Sequence, residues 1–242
     1  MSMLPVVGMM RVKNEARWID QCIRSLFPVA SHVYVLDDHS TDNTSEIAAA
    51  IPDVTVYQNK FTGLNEARDK DYLLSLVLEE CMPSWIIHID GDEELEPDPR
   101  KKAALEAVLK EKHRTDVTVL QFQVCYLWDS PFMWRTDGLY GMFFRPSVFR
   151  VPICGAHKLR FQCTNGTTNF HCSNFPQGLG GRIEKTRTRL KHYGYMSSVD
   201  RESKYQYYTK LDPKNEAEDN YRHIVGKGRY APFDPVVIPW QD

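Results

Sequence analysis

In the stretch SWIIHIDGDEELEPD (84–98), an apolar run of Trp85, Ile86, Ile87 and Ile89 passes directly into Asp90, Asp92, Glu93, Glu94 and Glu96. Carboxylates set this close repel one another unless they are solvated, protonated or neutralised by a cation. They can therefore form either a solvated turn leading into a helix or a site for a cation and its phosphate ligands. A second acidic pair, Asp37-Asp38, ends the apolar run VYVL, and Arg68 falls between the two acidic clusters in the sequence. Acids at two strand ends with an arginine between them suit a ligand that offers hydroxyl and amide donors, phosphates and a divalent metal.

These residues need a scaffold that brings strand ends together. Up to about residue 125, strand-like and helix-like patterns alternate, as in a doubly wound sheet with mostly parallel strands. LPVVGMM (4–10), HVYVL (32–36), VTVY (54–57), SWIIHI (84–89) and VTVLQFQV (117–124) read as strands. The spacing predicts helices over NEARWIDQCIRSLF, over a segment capped by Asn43 with Glu46 in capping-box register, over 64–80 and over 99–112. In such sheets ligands bind beyond the carboxyl ends of the strands, where both acidic pairs fall. After residue 125 come the aromatic-rich YLWDSPFMWRTDGLYGMFFRPSVFRV, a Gly- and Asn-rich region, the alternating TRTRLKHYGY (186–195), the helical SSVDRESKYQYYTKL and a Pro-punctuated tail.

A length of 242 residues suits one domain; it divides here into a binding half (1–125) and a closing half (126–242). The composition, 42% hydrophobic and 26% charged, is that of a soluble globular protein. A net charge of −2 supplies no global field for nucleic acid or anionic membrane, so a charged ligand must be met by local groups. MSMLPVVGMM lacks a basic leader and is too short to span a bilayer, and the six cysteines are too sparse for a disulfide scaffold. A cytoplasmic protein with reduced thiols is expected, and the sequons at Asn43 and Asn165 are chance matches. No G-x-G-x-x-G follows the first strand and no P-loop is present, which disfavours dinucleotide dehydrogenases and P-loop NTPases.

VVGMMRVKNEARWIDQCIRSL, VYVLDDHSTDNTSEIA, GLNEARDK and WIIHIDGDEEL, in this order and spacing, resemble the N-terminal half of a family 2 glycosyltransferase of the GT-A fold. The resemblance covers about residues 4–100, and LKHYGY (190–195) is similar to the C-terminal segment of some members. It implies a Rossmann-like, mostly parallel sheet flanked by helices, with a C-terminal acceptor or lid extension. It also implies inverting, metal-dependent hexosyl or deoxyhexosyl transfer, with Mn2+ or Mg2+ and a nucleotide-sugar donor, a UDP-sugar first. The acceptor would be a glycan or a lipid-linked or protein-linked hydroxyl, with no nucleic acid and no transmembrane segment involved. Carried over by position, Arg11, Asn14, Glu15 and Asp38 would hold the nucleoside, and Arg68 would reach base or phosphates. Asp69 stands where the family usually has asparagine. Asp90-Gly91-Asp92 corresponds to the DxD motif, with Asp90 near the ribose, Gly91 letting backbone approach the ligand, and Asp92 on the metal.

Inverting transfer requires a base for the acceptor hydroxyl. Relatives often place Glu after a His in this region, but GAHKLRF has Lys158 there, so His157 or Asp137 in RTDGLYG are the candidates. Asp129, Arg135 and Asp137 interleave with Trp128, Phe132, Trp134 and Tyr140 as an acceptor lip would. His192 is expected to fold back over the donor site and complete the metal or diphosphate environment, beside a cationic face of Arg187, Arg189 and Lys191. The alternatives are a sugar-nucleotide-binding module without catalysis and, with less support, a nucleotidyltransferase.

Overall fold

The computed structural model describes residues 5–111, 116–163, 169–215, 221–226 and 235–241. Eight strands form one sheet in the order β3-β2-β1-β4-β8-β6-β9-β5. The first half supplies β1 (Val6–Val12), β2 (His32–Asp37), β3 (Val54–Gln58), β4 (Trp85–His88) and the short β5 (Glu93–Leu95). β1 to β4 are mutually parallel. The sheet is completed by β6 (Val117–Tyr126), β8 (Phe144–Arg150) and β9 (Arg182–His192), with β7 (Met133–Arg135) pairing outside it with β10 (Val237–Pro239).

Alternation along β1 explains the layering. Val7 and Met9 pack with Leu73, Leu74 and Val77 of α3 (Glu66–Glu80). Met10 and Val12 face the other way, toward Ile19, Cys22, Ile23 and Leu26 of α1 (Ile19–Leu26). Each such fully buried aliphatic side chain contributes about 1.5–3 kcal/mol of transfer free energy, so both faces of the sheet must be covered. Gly8 is required by this packing, since a Cβ there would stand 2.8 Å from Leu26 Cδ1.

Three expectations change. The first helix starts at Ile19 rather than Asn14, because Asn14 adopts φ 57° and its Oδ1 accepts the Thr41 amide at 2.7 Å, which keeps 13–18 as a loop. In α2 (Thr44–Ala49) the Asn43 side chain makes no capping bond; Asp42 Oδ1 accepts the Thr44 amide at 3.1 Å instead. The second sequon, Asn165, lies outside the described residues.

The third change concerns β8, which passes through the centre of the sheet where no strand is expected, antiparallel to β4 and β6. Its sequence, FRPSVFR, breaks the apolar run with Arg145 and Pro146, and the register shifts at Leu120/Gln121 opposite that proline. Beyond β4 the chain turns through Asp90–Asp92 into β5, which pairs antiparallel with β9 so that Glu93 lies opposite His192. α4 (Pro99–Lys110), capped by Asp98, and α5 (Ser198–Leu211), capped by Ser197, are the remaining α-helices among the described residues. Among the described residues no helix is long and apolar enough to cross a membrane.

Candidate active site

The carboxyl ends of β1, β2 and β4 open into a cleft of about 950 Å³, closed on the far side by α5 and by residues 170–174. Arg11, Asn14, Glu15, Asp38, Asp90, Gly91, Asp92 and His192 all line it. The parallel register explains the convergence: Val12, at the end of β1, pairs with Asp37, and Met9 pairs with His88 two residues before Asp90.

On the β1–β2 side, Arg11 Nη2 donates to Asp38 Oδ2 at 2.7 Å and Arg11 Nε to Asp69 Oδ2 at 3.0 Å. Asn59 Nδ2 donates to the other Asp38 oxygen at 2.9 Å, so Asp38 is fixed in orientation before any ligand arrives. Arg68 does not line the cleft. Its guanidinium is held by Asp69 Oδ1 and by the carbonyls of Thr62 and Gly63, and lies 4.6 Å over the Phe61 ring. As placed it braces the 61–63 loop and aligns Asp69 rather than reaching a ligand itself.

At the acidic turn, Arg145 of β8 donates to Asp90 Oδ2 at 3.0 Å and also pairs with Glu93, whose Oε2 accepts the Asp90 amide at 3.0 Å. The Asp90 side chain remains 41% exposed toward the cleft. Burial raises its affinity for a proton, but the Arg145 and Lys70 charges outweigh that and hold it well below the ordinary carboxylate range. Asp92 is only 6% exposed and Lys204 Nζ donates to its Oδ2 at 2.7 Å. Burial likewise opposes ionisation there, and Lys204 with His192 lowers the Asp92 carboxyl. Glu15, which has burial and Asp92 acting in the same direction, is pushed up to about 9. Gly91 serves packing: a Cβ there would stand 2.9 Å from both Glu15 Cγ and Val12 Cγ1.

His192 lies beside this turn, with Nε2 3.8 Å from Asp92 Oδ2. Burial, aided by Lys204 and Arg145 against Asp92, pushes its imidazole down to about 4, so the ring is neutral at pH 7. Its Nδ1 accepts the Gly194 amide at 3.1 Å, which places the ring proton on Nε2, facing Asp92. The cationic face does not accompany it. Strand alternation turns Arg189 and Lys191 away from His192 to stack on Trp240, at 4.1 and 4.7 Å, with Arg189 also on Glu96.

Neither candidate base lines the cleft. His157 is exposed in a short 3-10 turn (Ala156–Lys158). Asp137 gives both oxygens to Arg135, at 2.7 Å each, and Oδ1 also accepts the Val236 amide. Despite some burial, Arg135 keeps the Asp137 carboxyl below its ordinary range, unlike a group poised to take a proton. The interleaved charges of the expected acceptor lip are likewise paired with protein groups, although the Asp129 side chain is exposed. Arg135 is fully buried between the Trp128 and Tyr140 rings, at 4.6 and 4.0 Å, and Asp129 pairs with Arg201 at 2.8 Å.

Three cations of the site escape motif reading. Arg145 sits in an unrecognised strand, and Lys204 in the basic-aromatic helix that follows LKHYGY. Lys70 is buried, with Nζ on the Cys172 and Ser173 carbonyls and on Asn174 Oδ1 at 2.9–3.2 Å, and it anchors the far wall. The helical spacing Arg201, Lys204, Tyr208 was the available signal for Lys204.

Among the described residues no cluster of three or more His, Cys, Asp or Glu is set to hold a metal alone. Two carboxylates, one facing the cleft, beside a neutral imidazole nevertheless suit Mg2+ or Mn2+ arriving with phosphate, since these ions take one or two protein carboxylates and complete their shell with phosphate oxygens and water.

The model of glycosyl transferase family 2 matches residues 9–175. An uncharacterized protein of Mycobacterium tuberculosis is 26% identical over 219 residues, 86% of this chain and 51% of that protein. The glycosyltransferase SunS of Bacillus subtilis is 28% identical over 155 residues, 62% of this chain and 35% of its own length. The chain thus spans about half the length, or less, of these curated relatives. In fold, the Staphylococcus aureus TarS fragment 1–349 superposes with a TM-score of 0.53 at 16% identity, covering 92% of this chain and 70% of that one. With the family model spanning more than half of its length and a GT-A-like sheet beneath the cleft, the chain belongs to glycosyl transferase family 2.

Proposed function

We propose that this chain is an inverting glycosyltransferase that moves a hexosyl or deoxyhexosyl group from a nucleoside diphosphate sugar, a UDP-sugar first, to an acceptor hydroxyl. The acceptor is a glycan or a lipid-linked or protein-linked molecule. The observation that carries this reading is the convergence of Arg11-Asp38, Asp90 and Asp92 on one cleft. Asp38, oriented by Arg11 and Asn59, offers carboxylate lone pairs to nucleoside N–H or hydroxyl donors. Asp90 presents its exposed edge to the ribose. A divalent cation, held by Asp92 and Asp90, would supply Lewis-acid stabilisation of the leaving diphosphate. Lys204 and Arg145 add positive charge on the same side, where negative charge grows as the glycosidic bond breaks.

The test is product analysis with a panel of nucleotide-sugars and Mn2+, using water or simple glycosides as acceptors. Release of nucleoside diphosphate with a transferred sugar supports the proposal. Binding without turnover would indicate the non-catalytic module, and release of pyrophosphate a nucleotidyltransferase.

A further inference from the structure

Lys204 occupies one oxygen of Asp92, the carboxylate proposed above to hold a divalent cation. Its ammonium donates to Asp92 Oδ2 at 2.7 Å while the Asp92 side chain is 6% exposed. The approach is built into the fold. Gly194 passes so close that a Cβ there would lie 2.0 Å from Lys204 Nζ and 2.1 Å from Asp92 Oδ2. The helix that carries Lys204 is anchored one turn earlier, where Arg201 Nη1 donates to the Tyr195 and Met196 carbonyls at 3.0 Å and Nη2 to Asp129 at 2.8 Å. The backbone of α5 is therefore tethered, whereas the four-carbon stem of Lys204, 30% exposed, can swing.

An ammonium and a divalent ion cannot both bond one carboxylate oxygen without strong repulsion, because like charges a few ångströms apart in a partly desolvated cleft are poorly screened. We propose that Lys204 is a displaceable cation of the donor site: it neutralises Asp92 before the donor binds, and transfers to a diphosphate oxygen when a divalent cation takes Asp92. This rests on the nucleotide-sugar reading above. It makes the metal ion and the diphosphate bind cooperatively, since the ion releases the lysine that the diphosphate needs and the diphosphate holds the lysine away from Asp92.

The test uses the full chain and two variants, Lys204→Met and Lys204→Gln, the second retaining a hydrogen-bond donor to Asp92 should the first unfold. Free Mn2+ is counted by electron paramagnetic resonance without nucleotide, and UDP, GDP, CDP and dTDP binding is measured by calorimetry at saturating Mn2+. The expected result is opposite changes: Mn2+ alone binds about tenfold more tightly in the variants, while the diphosphate binds about tenfold more weakly. If the wild type binds Mn2+ with one of these diphosphates and neither quantity moves in the variants, or both weaken together, Lys204 is only a structural partner of Asp92 and the inference is overturned. Failure of the wild type itself to bind any of UDP, GDP, CDP and dTDP in the presence of Mn2+ overturns the nucleotide-sugar reading, and the inference with it.

Discussion

Arg11 Nε donates to Asp69 Oδ2 at 3.0 Å, tying the end of β1 to the first turn of α3. Asp69 is fully buried, and its other oxygen holds Arg68. One carboxylate thus aligns the guanidinium that fixes Asp38 and the one that braces the neighbouring loop. Asp69→Asn removes the charge from between two arginines and is expected to cost on the order of 3 kcal/mol of stability, the range for breaking a buried pair. Nucleoside diphosphate affinity falls with it, because Arg11 loses its second anchor. Chemical denaturation beside calorimetry checks this; unchanged stability would show that the Arg11–Asp69 contact has no structural weight.

Asp92→Asn keeps the shape of the acidic turn but removes an anionic ligand and the partner of Lys204. Turnover is expected to fall by at least about 10²-fold, the scale of losing one electrostatic contributor to the transition state, with a native circular dichroism spectrum. Full activity, or activity indifferent to chelator, would remove Asp92 from the mechanism.

His157→Ala and Asp137→Asn separate position from motif. His157 is exposed and does not line the cleft, so its removal should leave turnover within about twofold and stability within about 0.5 kcal/mol. Asp137→Asn should lower the melting temperature, by weakening the hold on buried Arg135 and the Val236 amide, while the surviving folded protein turns over at the wild-type rate. Turnover slowed by about a hundredfold or more in either variant, at wild-type stability, would return that residue to the role of base.

Glu15 gives the fold a pH dependence. Its carboxyl is raised from 4.5 to about 9 by burial and by Asp92, so the folded chain binds a proton more tightly than the unfolded one. That contribution to stability is complete below the unfolded value and is lost as pH rises through the folded value. Glu15→Gln, which cannot ionise, should therefore show a smaller decline in melting temperature between about pH 5 and pH 9 than the wild type. Parallel pH profiles for the two proteins would contradict the assignment.

The binding half was readable in the sequence because its signals are local. Continuous apolar runs marked buried parallel strands, and the acids that end β2 and β4 were bound to share an edge once those strands were parallel. Asn65 caps α3 by accepting the Arg68 amide, a local signal that puts the helix start within two residues of the sequence reading. The closing half resisted because its order depends on distant partners. β8 carries Arg145 and Pro146 inside a central strand, and the arginine is tolerated only because Asp90 and Glu93 meet it from another part of the chain. Asp137 looks available for catalysis in the sequence, but Arg135, buried between two aromatic rings, takes that carboxylate as its partner. His192 was placed by its motif, but the cationic face drawn from the same strand turned outward, since alternation puts Arg189 and Lys191 on the opposite side.

The most direct test of the account is a calorimetric titration of the wild-type chain with UDP, GDP, CDP and dTDP, each with Mn2+ and again with excess chelator. One diphosphate should bind with a Kd in the micromolar range, about −8 kcal/mol. That binding should weaken at least about tenfold when the metal is removed, and again in Asp92→Asn. If none of the four binds the folded protein in the presence of Mn2+, the cleft is not a nucleotide-sugar site and the proposed transfer reaction fails with it.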